Sequence, residues 1–222
     1  MNENILNFPT FTIYNKVMPK KAFYSHLEAN ARMKSLFVEY IEQIVWLYKL
    51  APSNLHIADG KEVQEIDILR IKLKQKTKSI LEICNWIDSL SPHHTLFIIE
   101  HGAEYQLLVN YKEWKDKQAG TFCIIETFVT DWQEASSLHL QLDNLSSMDS
   151  LYESLVRQVA STRITSSLQD LRQAVMETQE SEAIKKVMES IKKREARERQ
   201  PQKKFALHQE YLRLKEKWEK LE

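Results

Sequence analysis

Glycine is scarce in this sequence: 222 residues contain three, Gly60, Gly102 and Gly120, each where a turn is expected. With so few, neither G-x-x-x-x-G-K nor G-x-G-x-x-G can be spelled, which excludes the phosphate-cradling loops of P-loop and Rossmann proteins. Cysteine is equally sparse. Cys84 and Cys123 stand 39 positions apart with no second pair, so the sequence builds neither a disulfide framework nor a cysteine zinc site, and both residues read as small buried hydrophobes. No apolar run approaches the roughly 20 residues that cross a bilayer. The opening MNENILNFPTF lacks the basic and apolar regions of a secretory signal. Together these absences predict a cytoplasmic chain with no membrane contact.

What is present suits a folded chain, one large domain or a domain with an appendage. Hydrophobic residues make up 43% and charged residues 28%, ordinary values for a globular protein. The formal charge is zero, yet it is unevenly spread. From Ser181 onward there are 13 basic against 8 acidic residues, a net of +5, leaving −5 on residues 1–180. This is a mildly acidic body with a basic tail, short of the field of a dedicated nucleic-acid-binding domain.

Periodicity organises the rest. Pro19 is placed to open a helix over KKAFYSHL. In ANARMKSLFVEYIEQIVWLYKLAP, Met33, Phe37, Ile41, Ile44 and Tyr48 recur at spacings of three and four, which predicts one core helix closed by Pro52. EIDILRIKLKQ alternates like a strand, but its parity slips at Leu69–Arg70; a β-bulge there, or burial on both faces, accounts for the slip. Ser79 and Glu82 have capping-box spacing before a helix with Ile80, Ile83, Cys84, Ile87 and Leu90 on its apolar side. HTLFIIEHGAEYQLLVNYK reads as a hairpin turning at His101-Gly102, TFCIIETFVTDW as a further strand, and SSMDSLYESLVRQVA as a helix. The pattern predicts an α+β fold, a mostly antiparallel sheet packed with helices, over residues 1–160. Residues 161–222 read as a helical arm: Ile164, Leu168, Leu171 and Val175 keep a 4-3-4 spacing, Ile184, Val187 and Ile191 resume it, and Pro201 interrupts or restarts the helix.

Candidate chemistry is thin. A nuclease of the PD-(D/E)xK type needs an acidic residue and an acid-x-Lys pair on adjacent strands, to hold a divalent metal and activate water. Asp67, Lys72 and Glu104 supply the residue types, but Arg70-Ile71-Lys72 stands where acid-x-Lys belongs, and solvated surface charges are the expected reading. His93, His94 and His101 lie at the two ends of one short strand; His93 and His94 point to opposite faces, so a chance cluster is expected, with no metal or cofactor. The basic run Lys192, Lys193, Arg194, Arg197, Arg199, Lys203 and Lys204 can grip phosphates by salt-sensitive attraction, though it lacks interleaved aromatics to stack bases. Sharper is the 4-3-4-3 spacing of Leu207, Tyr211, Leu214, Trp218 and Leu221, the a/d pattern of a coiled-coil seam, broadened by Phe205 and Leu212. Such a short helix needs a surface to lie on: the arm's own earlier helices, a second copy, or another protein.

The segments MPKKAFYSHLEANARMKSLFVEYIEQIVWLYKLAP, EIDILRIKLKQK and HTLFIIEHGAEYQLLVNYK, with LYESLVRQVA and the closing Leu-Lys-Glu helix, resemble a bacterial family known as domain of unknown function 4391. The resemblance spans nearly the whole chain and rests on Phe23, Tyr24, Phe37, Trp46, Tyr48, Lys49, Leu50 and Pro52, mostly core-type positions. It implies an association with SNF2-like helicases and DNA methyltransferases in restriction-like, anti-phage clusters, and no catalytic residues. The resulting expectation is a non-catalytic subunit of such a complex, docked on its helicase or methyltransferase through the Leu207–Leu221 seam, with DNA contact inside the complex. A homodimer through the arm and a divergent metal-dependent nuclease are the alternatives.

Overall fold

The computed structural model describes residues 4–26, 30–142, 146–164 and 170–221. Contacts divide the chain into two units, Met1–Thr162 and Arg163–Glu222. Along the first come β1 (Ile13–Met18), α1 (Lys20–His26), α2 (Ala31–Tyr40), β2 (Ile41–Leu50), α3 (Pro52–Leu55), β3 (Ile66–Leu73), α4 (Ser79–Leu90), β4 (His94–His101), β5 (Glu104–Asp116), β6 (Thr121–Val129), β7 (Gln133–Glu134) and α5 (Met148–Val159). The strands form one sheet in the order β1-β2-β3-β4-β5-β6, with β7 on β5. All pairings are antiparallel except β3 with β4. A parallel pair needs a crossover, and α4 provides it. The fold is α+β, with a mostly antiparallel sheet.

The single core helix expected over residues 33–48 is instead a helix and a strand. Asn30 caps α2 by accepting the Met33 N–H at 2.8 Å, and Met33 and Phe37 are buried. The chain then turns extended at Ile41. Against β3, the pairing skips one residue of β2 between Ile41 and Gln43 and another between Trp46 and Tyr48, leaving Glu42 and Leu47 as bulge residues. Each bulge reverses the in–out alternation. The buried positions Ile41, Ile44, Val45, Leu47, Tyr48 and Leu50 therefore fall at intervals that imitate a helix. The same bulges resolve the parity slip in β3. That strand runs without interruption along β4 and is buried on both faces from Ile66 to Leu69; the irregularity lies across from it, in β2.

On the α4 face, Phe37, Ile44, Ile71, Ile83, Phe97, Ile99 and Leu108 form one sealed core, each large side chain contributing about 1.5–3 kcal/mol by leaving water. Ile80, Ile83, Cys84 and Ile87 bury as their spacing predicts, but Leu90, at the last turn, is exposed. Cys84 is buried; Cys123, expected to be so, is exposed. Ser79 does not cap α4: its own N–H donates to Thr77 Oγ1 at 3.1 Å, and Glu82 pairs with Arg32. The hairpin closes at His101–Glu104, with Gly102 at φ +63°, a backbone state that side chains disfavour. At Gly60 the demand is space. A Cβ there would lie 2.2 Å from Val63 O and 2.5 Å from Asp149 Oδ1. The Asp149 carboxylate accepts the N–H groups of Lys61, Glu62 and Val63 at 2.7–3.1 Å, anchoring the segment that leads into β3.

The second unit contains α6 (Leu171–Arg197) and α7 (Pro201–Glu219). Pro201 is the first residue of α7, where its missing N–H costs nothing. Between the helices, Glu198 Oε1 accepts the Arg199 and Gln200 N–H groups at 2.8 Å, and these donors hold its carboxyl below the usual range. The helices run antiparallel: Trp218 donates to Ser181 Oγ at 2.9 Å, Lys217 pairs with Glu180 at 2.6 Å, and His208 Nδ1 meets Glu195 at 3.2 Å. In α6 the buried positions include Ile184, Met188 and Ile191, while Val187, expected on that edge, is exposed. Leu168 lies outside the described residues.

Candidate metal centre

The ends of three neighbouring strands, β2, β3 and β4, meet at one end of the sheet. Parallel pairing sets Ile66 level with His94, so Glu65 and His93, the residues just before them, are also level. Antiparallel pairing sets Lys49, near the end of β2, opposite Asp67. The side chains converge. His93 Nδ1 lies 3.3 Å from both Asp67 Oδ2 and Glu65 Oε1, and Lys49 Nζ lies 2.8 Å from Glu65 Oε2. One ligand atom from each of Glu65, Asp67 and His93 falls within a sphere where all are 4.8 Å or less apart, the spread of a metal's coordination shell.

Its electrostatics are unsatisfied. Asp67 is 8% exposed, and its Oδ1, like Glu65 Oε1, is buried without a hydrogen-bond partner among the described residues. A buried carboxylate oxygen left unpaired is costly unless a cation or donor completes it. Burial raises the Asp67 carboxyl, with His93 opposing the shift. The hydrogen bond to Asp67 raises the His93 imidazole, and Glu65 raises the Lys49 ammonium. Two carboxylate oxygens and one imidazole nitrogen suit a divalent cation of the manganese or zinc type. Lys49 and His93 keep about a third of their side chains exposed, so the centre opens to solvent over a buried acidic floor.

Behind it stands a buried ion pair. Lys112 Nζ, on β5, donates to Asp88 Oδ1 at 2.7 Å, to Asp88 O at 2.9 Å and to His93 O at 2.7 Å. Neither side chain of the pair has any exposed surface. Burial pushes the Asp88 carboxyl up and the Lys112 ammonium down, and their contact opposes both shifts. Asn110 donates to Asp88 Oδ2 at 2.9 Å, and Tyr152 OH donates to Asn110 O. Through its carbonyl, His93 is thus fixed to α4 and β5.

The residues singled out from the sequence distribute otherwise. Asp67 lies in the centre, but Lys72 pairs with Glu42 at 2.8 Å and Glu104 with Lys76 at 2.6 Å. Five strand positions separate Asp67 from Lys72, about 16 Å and opposite faces, so that trio does not converge. His93 and His94 do diverge. His94 packs against the Phe122 and Tyr152 rings, and burial lowers its imidazole to about 3. His93, expected in a chance cluster, instead meets two carboxylates from a neighbouring strand. Glu65-x-Asp67 entering one strand and His93 entering the next were the available signal; only the parallel register brings them level.

In the arm, Leu207, Tyr211, Leu214 and Trp218 are half-buried, as is Leu221 just beyond α7, while every other residue from Pro201 to Lys220 is exposed. Lys185 and Lys192 of α6 lie over the Trp218 and Tyr211 rings at 4.6 and 4.9 Å. The seam therefore lies on α6. Phe205 and Leu212 do not broaden it; both are exposed. Of the basic run, the exposed Lys192 lies over the Tyr211 ring, whereas Lys193, Arg194 and Arg197 line an open groove with Lys186 and Glu189. Arg199 stands in the turn, and Lys203 and Lys204 are exposed on the first turn of α7.

A family model described as a domain of unknown function, DUF4391, matches residues 6–219. The chain belongs to that family. No curated protein and no solved structure matches it. Of the residues that carry the family resemblance, Phe37, Tyr48 and Leu50 are sealed in the core, whereas Lys49 reaches the centre. No helix among the described residues is long and apolar enough to cross a membrane.

Proposed function

We propose that the body is a divalent-metal-dependent hydrolase of phosphodiesters, sharing the chemical logic of PD-(D/E)xK nucleases with a different set of residues. The observation that carries this reading is the convergence of Glu65 and Asp67 on the His93 imidazole, each with a buried carboxylate oxygen that accepts no hydrogen bond from the described residues, flanked by the Lys49 ammonium. When bound, a divalent ion supplies an acidified water and polarises the scissile group. Glu65, Asp67 and His93 would hold it. Lys49 offers a positive charge beside it, where a phosphoryl oxygen gains negative charge in the transition state. Lys112 keeps His93 in place through its carbonyl. The test is cleavage of DNA and RNA by the purified chain with Mn²⁺ or Mg²⁺, alone and with its partners. Cleavage lost in Asp67→Asn and Lys49→Met supports the reading. Metal binding without cleavage in any of these settings contradicts hydrolysis.

A second reading, a non-catalytic subunit docked through the arm on a helicase or methyltransferase in a defence complex, is favoured by the apolar surface left on α7. Phe205 is 66% exposed and Leu212 39%. Because Trp218 is tied to Ser181, replacing Leu214 and Trp218 with Asp also opens the hairpin. Phe205→Asp with Leu212→Asp leaves the seam intact and is the cleaner test. Loss of co-purification with the helicase or methyltransferase supports docking; an intact complex contradicts it. Lys193, Arg194 and Arg197 add a place for DNA phosphates in such a complex.

A further inference from the structure

The body contains a cavity of about 410 Å³ whose lining includes Arg70 of β3, Glu100 of β4 and Tyr105 of β5, walled by Ile5, Leu138 and His139. Arg70 is three positions from Asp67, so the two side chains leave β3 on opposite faces and the cavity is separate from the carboxylate centre. Arg70 Nε lies 3.7 Å from Glu100 Oε2, an ion contact too long for a hydrogen bond. Only 15% of the Arg70 side chain and 12% of the Glu100 side chain are exposed. Among the described residues neither side chain makes a hydrogen bond. Charged groups withdrawn this far are ordinarily saturated by partners. Here a guanidinium fork and a carboxylate fork stand side by side at the cavity wall, in ion contact with each other and without a hydrogen bond to either side chain from the described residues.

We propose that this cavity binds a guanine base, as a nucleoside or nucleotide. The site is neutral overall, which favours a neutral ligand that offers acceptors beside donors. Guanine presents O6 and N7 to a guanidinium fork, and its N1–H and 2-amino group match the two oxygens of a carboxylate. Adenine gives a carboxylate only its single amino group and cannot satisfy both forks. Tyr105, paired in register with Glu100, and the apolar Ile5 and Leu138 provide surfaces for the ring faces. Burial raises the Tyr105 phenol, so it remains a neutral donor. The volume lies within the range of small-molecule pockets, roughly 300–1,000 Å³.

The test is calorimetric titration of the full chain with guanosine, inosine, adenosine and a panel of free amino acids. EDTA is present throughout, so that the result is independent of the metal reading. Guanosine should bind about tenfold or more tighter than adenosine, the discrimination expected of a bidentate pair. Inosine, which lacks the 2-amino group, should fall between them. Glu100→Gln, nearly isosteric, should erase most of the preference while leaving the circular dichroism unchanged; should that variant fail to fold, the guanosine–inosine comparison on the unaltered chain still decides. Equal affinity for guanosine and adenosine, tighter binding of an amino acid zwitterion, or an undiminished preference in a folded Glu100→Gln protein would overturn the proposal.

Discussion

The sheet of the body and the helical pair of the arm use apolar residues in different ways. In the body, Phe37, Ile44, Tyr48, Ile71 and Phe97 have no exposed surface, and they come from segments far apart in sequence. In Pro201–Lys220 no side chain is fully buried; one row of half-covered residues meets one neighbouring helix. A network of long-range pairing can hold Glu65 and Asp67 of one segment, His93 of a second and Lys49 of a third in fixed register, which metal chemistry requires. A two-helix hairpin holds a surface instead, and its stability rests on few contacts. The chemistry we propose is accordingly placed in the first unit and the proposed recognition in the second.

That contrast can be broken most forcefully at Lys112. Lys112→Met leaves the Asp88 carboxylate buried without its cation and should cost about 3–5 kcal/mol, read by urea unfolding. Replacing Asp88 with Leu as well should recover most of the loss. Phe37→Ala removes a sealed core ring and should cost a similar amount, about 3–5 kcal/mol. By contrast, Leu214→Ala in the half-buried seam should cost about 1 kcal/mol and leave the protection of body amides in hydrogen exchange unchanged. An equal cost at Phe37 and Leu214 would dissolve the distinction.

The centre adds a pH signature. Contact with Asp67 raises the His93 imidazole above its ordinary 6.5, so the stability that this contact contributes is complete below that value. It is lost as pH rises through the raised one. A metal competes with the same proton, so Mn²⁺ affinity should climb over that window, and His93→Asn should flatten the profile. The smallest effect on folding belongs to the exposed Phe205 and Leu212. Phe205→Asp with Leu212→Asp should change stability by no more than about 0.5 kcal/mol, measured by thermal unfolding.

Much of this architecture is legible in the sequence, because most apolar periods match the elements they form. The hairpin at Gly102, the buried face of α4 and the seam of α7 follow from spacing alone. The α2–β2 segment does not. The bulges at Glu42 and Leu47 break a strand's alternation into helix-like intervals, and only pairing with β3 reveals it. The centre was hidden for a related reason. Glu65 and His93 are 28 positions apart and become neighbours only through the parallel register that α4 enforces. Sequence spacing finds residues on one element; it does not find residues that the sheet assembles.

The central claim is that Glu65, Asp67 and His93 form a metal centre, and titration of the intact chain with Mn²⁺, followed by calorimetry or by loss of the free-ion paramagnetic signal, tests it most directly. The expected result is one ion per chain, with affinity reduced at least tenfold in both Asp67→Asn and Glu65→Gln, as loss of a ligand entails. A folded protein that takes up no Mn²⁺ or Zn²⁺, or one whose uptake is indifferent to both substitutions, would contradict it.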